Sequence, residues 1–137
     1  MMTAVSQHEI IQVGGVDVTP AMMETYKHTA RTSAAQRRRR LAARQTRAMA
    51  VAQRAADDLR AHFGTTRVVL IGSLTGATPF HDRSDVDLVV WGLRPEDYWR
   101  AASQVLSLDP AIEVDLIEAE GAPSWVQEAV AREGVTL

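Results

Sequence analysis

The sequence contains no cysteine. Disulfide staples, thiolate metal sites and thiol nucleophiles are therefore excluded, and a reducing compartment, the cytoplasm, is the expectation. Long hydrophobic runs are also missing. The apolar stretches are of strand length, well short of the roughly 20 residues of a membrane-crossing helix, and the polar N-terminal residues lack the apolar segment of a secretory signal. No repeat occurs at the periods that mark solenoids. Nor is there an excess of one charge, since 15 basic residues stand against 17 acidic ones over 137 residues. A chain of this length is expected to form one domain with a modest core.

What is present centres on Arg67 to Gly92, RVVLIGSLTGATPFHDRSDVDLVVWG. Val68, Val69, Leu70 and Ile71 form an apolar run without polar alternation, as expected of a strand covered on both faces. Gly72-Ser73 ends it. A glycine permits close backbone approach to a ligand, and the neighbouring serine adds a hydroxyl and an N–H, a combination suited to phosphate. A second strand opens at Asp85-Val86-Asp87, where alternation places Val86, Leu88 and Val90 on one face and Asp85 and Asp87 on the other, about 7 Å apart at roughly 3.3 Å per residue. Either motif alone is more often a plain turn or a solvated strand end. Together they suggest a cation beside a phosphate.

A third acidic strand follows at Ile112 to Ile117, where Ile112, Val114 and Leu116 alternate with Glu113 and Asp115. Paired beside the second strand, its acidic face would lie about 4.8 Å from Asp85 and Asp87. Three carboxylates around two magnesium ions make a phosphoryl-transfer centre.

These residues resemble the DNA polymerase β-type nucleotidyltransferases, and within them the small minimal nucleotidyltransferases (MNT). The resemblance is carried by Gly72-Ser73, by Ser84-Asp85-Val86-Asp87-Leu88-Val89-Val90 and by Val114-Asp115-Leu116. It departs from the usual pattern in one respect: the spacing from Ser73 to Asp85 is one residue longer, the extra residue falling in the turn Thr78 to Asp82. The resemblance implies a catalytic and metal-binding set of Asp85, Asp87 and Asp115 and a nucleotide-binding pair Gly72 and Ser73; Glu113, on the same strand face as Asp115, is the reserve candidate for the third ligand. It further implies two Mg2+ ions, ATP as substrate, and transfer of AMP to a hydroxyl. Relatives of this kind are commonly antitoxins that silence an all-helical HEPN ribonuclease toxin by adding AMP to a tyrosine, so a HEPN-type toxin is the partner implied.

The flanks complete the expected architecture. Residues 1–19 read as a tail or a small hairpin around Gly14-Gly15. Thr19-Pro20 reads as N-cap and first position of a helix that meets no further proline or glycine before Gly64, so 20–63 is expected to be one long basic helix, about 65 Å at 1.5 Å per residue, with a weak point near 31–33. Leu41, Ala48, Ala52, Ala55, Leu59 and Phe63 form its apolar stripe. Its first half is expected to meet a partner or a second copy of the chain. Arg37, Arg38, Arg39 and Arg40 circle the helix; a solvated charged turn is the plain reading, and a protein contact ranks above nucleic acid because no aromatic is interleaved to stack bases.

Residues 64–137 are expected to form the catalytic core, an α/β fold with a small mixed twisted sheet backed by helices and an open acidic face. Within it, Trp99, Ala102, Val105 and Leu106 are expected to be the buried side of a helix begun by Pro95, and Trp125, Ala129 and Val130 that of a last helix begun by Pro123. Trp91, Tyr98 and Trp99 are expected to pack the core, and the histidines show no ligand spacing. Two other function classes compete with the enzyme. One is a catalytically degenerate relative that acts by partner binding. The other is a dinucleotide-binding protein, weakened because Gly72 to Gly76 lacks the Gly-x-Gly-x-x-Gly turn.

Overall fold

The computed structural model describes residues 11–137; the tail expected before them lies outside the described residues. The chain divides into two compact units, Met1–Arg40 and Leu41–Leu137. In the first, β1 (Ile11–Val13) and β2 (Val16–Val18) form an antiparallel hairpin. Gly14 and Gly15 make its two-residue turn with φ of 59° and 82°, the left-handed pair that a tight hairpin requires. Gln12 Nε2 donates to Asp17 Oδ1 at 2.9 Å across it. Helix α1 (Pro20–Phe63) starts where Thr19 Oγ1 accepts the Met22 N–H and Pro20 supplies a preset φ. Arg31, Thr32 and Ser33, where a weak point was expected, are helical. With no proline or glycine to break the ladder, Thr32 Oγ1 simply bonds back to the His28 carbonyl at 3.0 Å.

In the second unit a four-stranded mixed sheet has the order β5-β4-β3-β6, from β3 (Arg67–Ile71), β4 (Val86–Trp91), β5 (Val114–Glu118) and β6 (Val135–Thr136). β3 runs antiparallel to β4 and β6, and β4 parallel to β5. The parallel pair needs a crossover, supplied by α2 (Tyr98–Leu106), while α3 (Ser124–Glu133) connects β5 to the edge strand β6. Alternation divides each strand between two cores. Val68, Leu70, Leu88, Val90, Val114 and Leu116 face Ala48, Val51, Ala52, Ala55, Ala56, Leu59 and Phe63 of α1 together with Ala101 and Val105 of α2. The alanines carry no side chain beyond Cβ, so the helix can lie close on the sheet. Val69, Ile71 and Val89 face Val126 and Ala129 of α3.

The second core corrects the expectation of an open acidic face, because α3 covers part of it. The helix faces differ too. Ala101 and Val105 are the buried residues of α2, whereas Trp99 is 81% and Leu106 49% exposed; in α3 Val126 and Ala129 are buried and Trp125 is 58% exposed. Val105 and Ala129 are buried as expected, with Ala102 and Val130 packed against the two cores, but Ala101 and Val126 take the inward places expected for the tryptophans. Tyr98 does pack inward, its Oη donating to the Leu116 carbonyl at 2.9 Å.

The return from α3 into β6 depends on Gly134. A Cβ there would lie 2.5 Å from the Val130 carbonyl oxygen and 2.7 Å from Val69 Cγ1, so only glycine lets the chain pass between the helix end and the sheet.

Candidate active site

The pairing of the two central strands assembles the site. β4 and β5 lie in parallel register with Asp87 opposite Asp115, which puts the two carboxylates side by side on one sheet face. Asp85 stands just before β4. On the other side of β4, Asp87 is opposite Ile71, so β3 delivers Gly72 directly against the Asp87 carboxyl. A Cβ on Gly72 would meet Asp87 Oδ2 at 2.6 Å, and the residue has φ of +87°. Glycine is required there twice over, for conformation and for room.

The loop after Gly72 is a single 3₁₀ turn, Ser73–Thr75. The Thr75 N–H donates to the Gly72 carbonyl at 3.1 Å and the Gly76 N–H to the Ser73 carbonyl at 3.1 Å; Thr75 Oγ1 donates to the Gly72 carbonyl at 2.7 Å. Ser73 is partly exposed beside the carboxylates and makes no side-chain hydrogen bond within the chain among those described. Just before Asp85 the Ser84 N–H donates to the His81 carbonyl at 3.0 Å and Ser84 Oγ accepts the His81 N–H at 2.9 Å. This closes a compact turn with Ser84 buried.

Burial, first, and then the charges of Asp115 and Asp85, contact with Asp115, and the charge of Glu133 push the Asp87 carboxyl up from 3.8 to about 6. Asp115 is exposed and Glu113 is also exposed, Glu113 contributing its carbonyl to the Val86 N–H at 2.9 Å. Among the described residues no group of three or more acidic or histidine side chains stands ready to hold a metal ion. The donor set still fits a divalent cation by chemistry: Asp85, Asp87 and Asp115 offer hard oxygen ligands, and the charges of Asp115 and Asp85 add to burial in raising the Asp87 carboxyl.

Two features were missed by the sequence reading. Arg44, in the helix expected over 20–63, donates from Nη1 to the Ala111 carbonyl at 2.9 Å and from Nη2 to the Ser84 carbonyl at 3.4 Å. It thereby ties together the two segments that lead into Asp85 and into β5. Arg47 pairs beside it with Asp109, whose Oδ1 also accepts the Ala111 N–H at 2.9 Å. The other missed residue is Glu133, at the end of α3, whose carboxylate reaches the Gly72 amide at 3.0 Å. Neither has a local signal, since both act across long sequence separations. A cavity of about 430 Å³ lies farther along the same sheet face, lined by Arg67, Val89, Trp91, Val126 and Val130 among others, with the Arg67 guanidinium 4.4 Å over the Trp91 ring. Glu120 also lines it, while Asp85, Asp87 and Asp115 do not.

A mixed four-stranded sheet that sets Gly72-Ser73 against aligned aspartates defines a nucleotidyltransferase fold. No family model and no curated protein matches the sequence, but solved structures do. A candidate minimal nucleotidyltransferase is 28% identical, with 71% of this chain and 95% of that chain covered and a TM-score of 0.50. A chain of the mutant toxin-antitoxin MntA-HpeT is 24% identical over 62% of this chain and 69% of that chain, at a TM-score of 0.52. A toxin-antitoxin solved with AMP-PNP is 22% identical over 62% of this chain and 70% of that chain, also at 0.52. The resemblance to minimal nucleotidyltransferases drawn from the motifs thus extends to the fold. Among the described residues no helix is long and apolar enough to cross a membrane.

Proposed function

We propose that this chain is a metal-dependent nucleotidyltransferase that moves AMP from ATP to a hydroxyl, and that the acceptor is a tyrosine of a HEPN-type toxin for which it serves as antitoxin in the cytoplasm. The observation that carries the reading is the alignment of Asp87 with Asp115, beside Gly72. Two aligned carboxylates next to a glycine-serine turn suit an anionic phosphate chain held through divalent cations. Similarity to toxin-antitoxin structures, one of them holding AMP-PNP, supports the choice of nucleotide and partner.

In this reading Asp85, Asp87 and Asp115 would hold two magnesium ions, which when bound neutralise the triphosphate and ease ionisation of the acceptor hydroxyl. Ser73, with its hydroxyl and the turn amides, binds the β- and γ-phosphates. Asp115, exposed and adjacent to Asp87, takes the proton of the acceptor hydroxyl at a carboxylate oxygen. The oxygen–phosphorus bond to the acceptor forms as the α–β phosphoanhydride breaks, and pyrophosphate leaves. A tyrosine suits this chemistry because its pKa of about 10 lies far below that of an aliphatic alcohol. For grip on a partner, the first unit offers Met22 and Tyr26, 49% and 71% exposed, on one helix face; the exposed Arg37 to Arg40 add charge for an acidic protein surface, with nucleic acid or a second copy of the chain as the competing occupants.

One alternative, favoured by the spacing from Ser73 to Asp85 being one residue longer than usual, is a protein of this fold that neutralises its partner by binding alone. Intact-mass measurement of the purified pair with ATP and magnesium decides. A partner heavier by one or more AMP units, with no gain in the Asp85→Asn variant, is the expected result. Toxin neutralisation that survives Asp85→Asn with an unmodified partner establishes the binding-only reading.

A further inference from the structure

Glu133 caps the amide at the head of the Gly72-Ser73 turn. Its Oε2 accepts the Gly72 N–H at 3.0 Å and lies 3.5 Å from Thr75 Oγ1, whose single proton is better placed on the Gly72 carbonyl at 2.7 Å. Its Oε1 accepts from Arg132 Nη2 at 3.0 Å. The Glu133 side chain is only 13% exposed, that of Arg132 68%. The carboxylate therefore divides between the amide at the head of the nucleotide loop and a solvent-facing guanidinium one residue away. Both of these hold it by charge-assisted hydrogen bonds.

A carboxylate at Gly72 costs this site twice. It adds a further negative charge beside Asp87, and it occupies a donor that a triphosphate arriving at the Gly72-Ser73 turn would use. We infer that Glu133 is a positioning residue that caps the Gly72 amide in the nucleotide-free chain and yields it to the triphosphate, so that nucleotide binding is in direct competition with the Glu133 carboxylate. The device gives the loop a fixed shape before nucleotide arrives, since the φ of +87° at Gly72 is held by this bond together with those of Thr75. Arg132 provides the destination, because a small rotation of the Glu133 side chain exchanges the part-buried Gly72 amide for full contact with the exposed guanidinium.

The inference rests on the nucleotide-binding reading, and the test separates the two. Inorganic tripolyphosphate, which offers the phosphate chain without base or turnover, is titrated in magnesium buffer into the full chain and into Glu133→Gln and Glu133→Ala, with calorimetry for affinity and the Gly72 amide followed by ¹H–¹⁵N NMR. The expected result is tighter binding in both variants, about three- to tenfold, the range that one net hydrogen bond spans. In the unaltered chain the Gly72 amide resonance should move on binding, as one acceptor replaces another. A supporting role alone predicts the opposite sign, with Glu133→Ala binding more weakly as its loop loosens, and equal or weaker binding in both variants overturns the competition while leaving the nucleotide reading intact. Failure of all three proteins to bind tripolyphosphate at millimolar concentration overturns the nucleotide reading, and the competition with it.

Discussion

Replacing Asp87 by asparagine is expected to stabilise the metal-free protein at neutral pH while abolishing nucleotide transfer. The Asp87 carboxyl is raised from 3.8 to about 6, chiefly by burial and then by the like charges of Asp115 and Asp85. A raised folded-state pKa for an acid means that the folded chain binds the extra proton between those two values. The cost of ionising Asp87 in the fold is therefore absent below about pH 4, builds between 3.8 and about 6, and is complete above that. At about 1.4 kcal/mol per pH unit the full cost would be about 3 kcal/mol. Because the carboxyl keeps substantial contact with water, screening reduces this to about 1–1.5 kcal/mol. Asparagine has nearly the same shape, fits against Gly72 and carries no charge. Thermal denaturation without divalent ions at pH 7.5 should then show the variant melting higher by about 3–6 °C, from the scaling of melting temperature with stability in a domain of this size. At pH 4 the two proteins should melt together. A variant that is less stable than the parent at pH 7.5, or a gap that does not change with pH, would refute the assignment of a destabilising ionised carboxyl at this site.

Two further outcomes follow from single contacts. Gly72→Ala combines a disfavoured positive φ with a Cβ 2.6 Å from Asp87 Oδ2, and is expected to cost roughly 1–3 kcal/mol and to displace Asp87, whereas Gly76→Ala at φ +89° in open space should show the conformational cost alone and keep nucleotide binding; chemical denaturation and tripolyphosphate titration of the two variants make the comparison. Arg44→Ala removes the tie between the Ser84 and Ala111 carbonyls, with an expected loss of about 1–3 kcal/mol in urea denaturation and a larger proportional loss of transfer rate, because Asp85 and the entry to β5 lose their common anchor.

Much of this architecture was written locally. The run Val68 to Ile71 specifies a doubly covered strand, the alternation around Asp87 and Asp115 specifies which side chains share a face, and Thr19-Pro20 followed by a stretch free of proline and glycine specifies a long helix. Each signal operates within a few residues, through dihedral preference and periodicity, and so can be read without knowing the partner element. Helix orientation was not settled in this way. Hydrophobicity alone assigns Trp99 and Trp125 to the core, but an aromatic residue and its neighbours compete for one face. Only the shape of the sheet decided that Ala101 and Val126, small enough to approach it closely, would be buried beside the expected Val105 and Ala129. The short edge strand Val135-Thr136 was likewise silent in the sequence, because two residues carry no period and exist as a strand only through pairing with Val69 and Leu70. The same holds for the residues that complete the site. Nothing near Arg44 announces a bond to a carbonyl 67 residues away, and nothing near Glu133 announces the amide of Gly72. Those contacts follow from strand order and helix placement, which depend on how the whole chain buries its apolar surface.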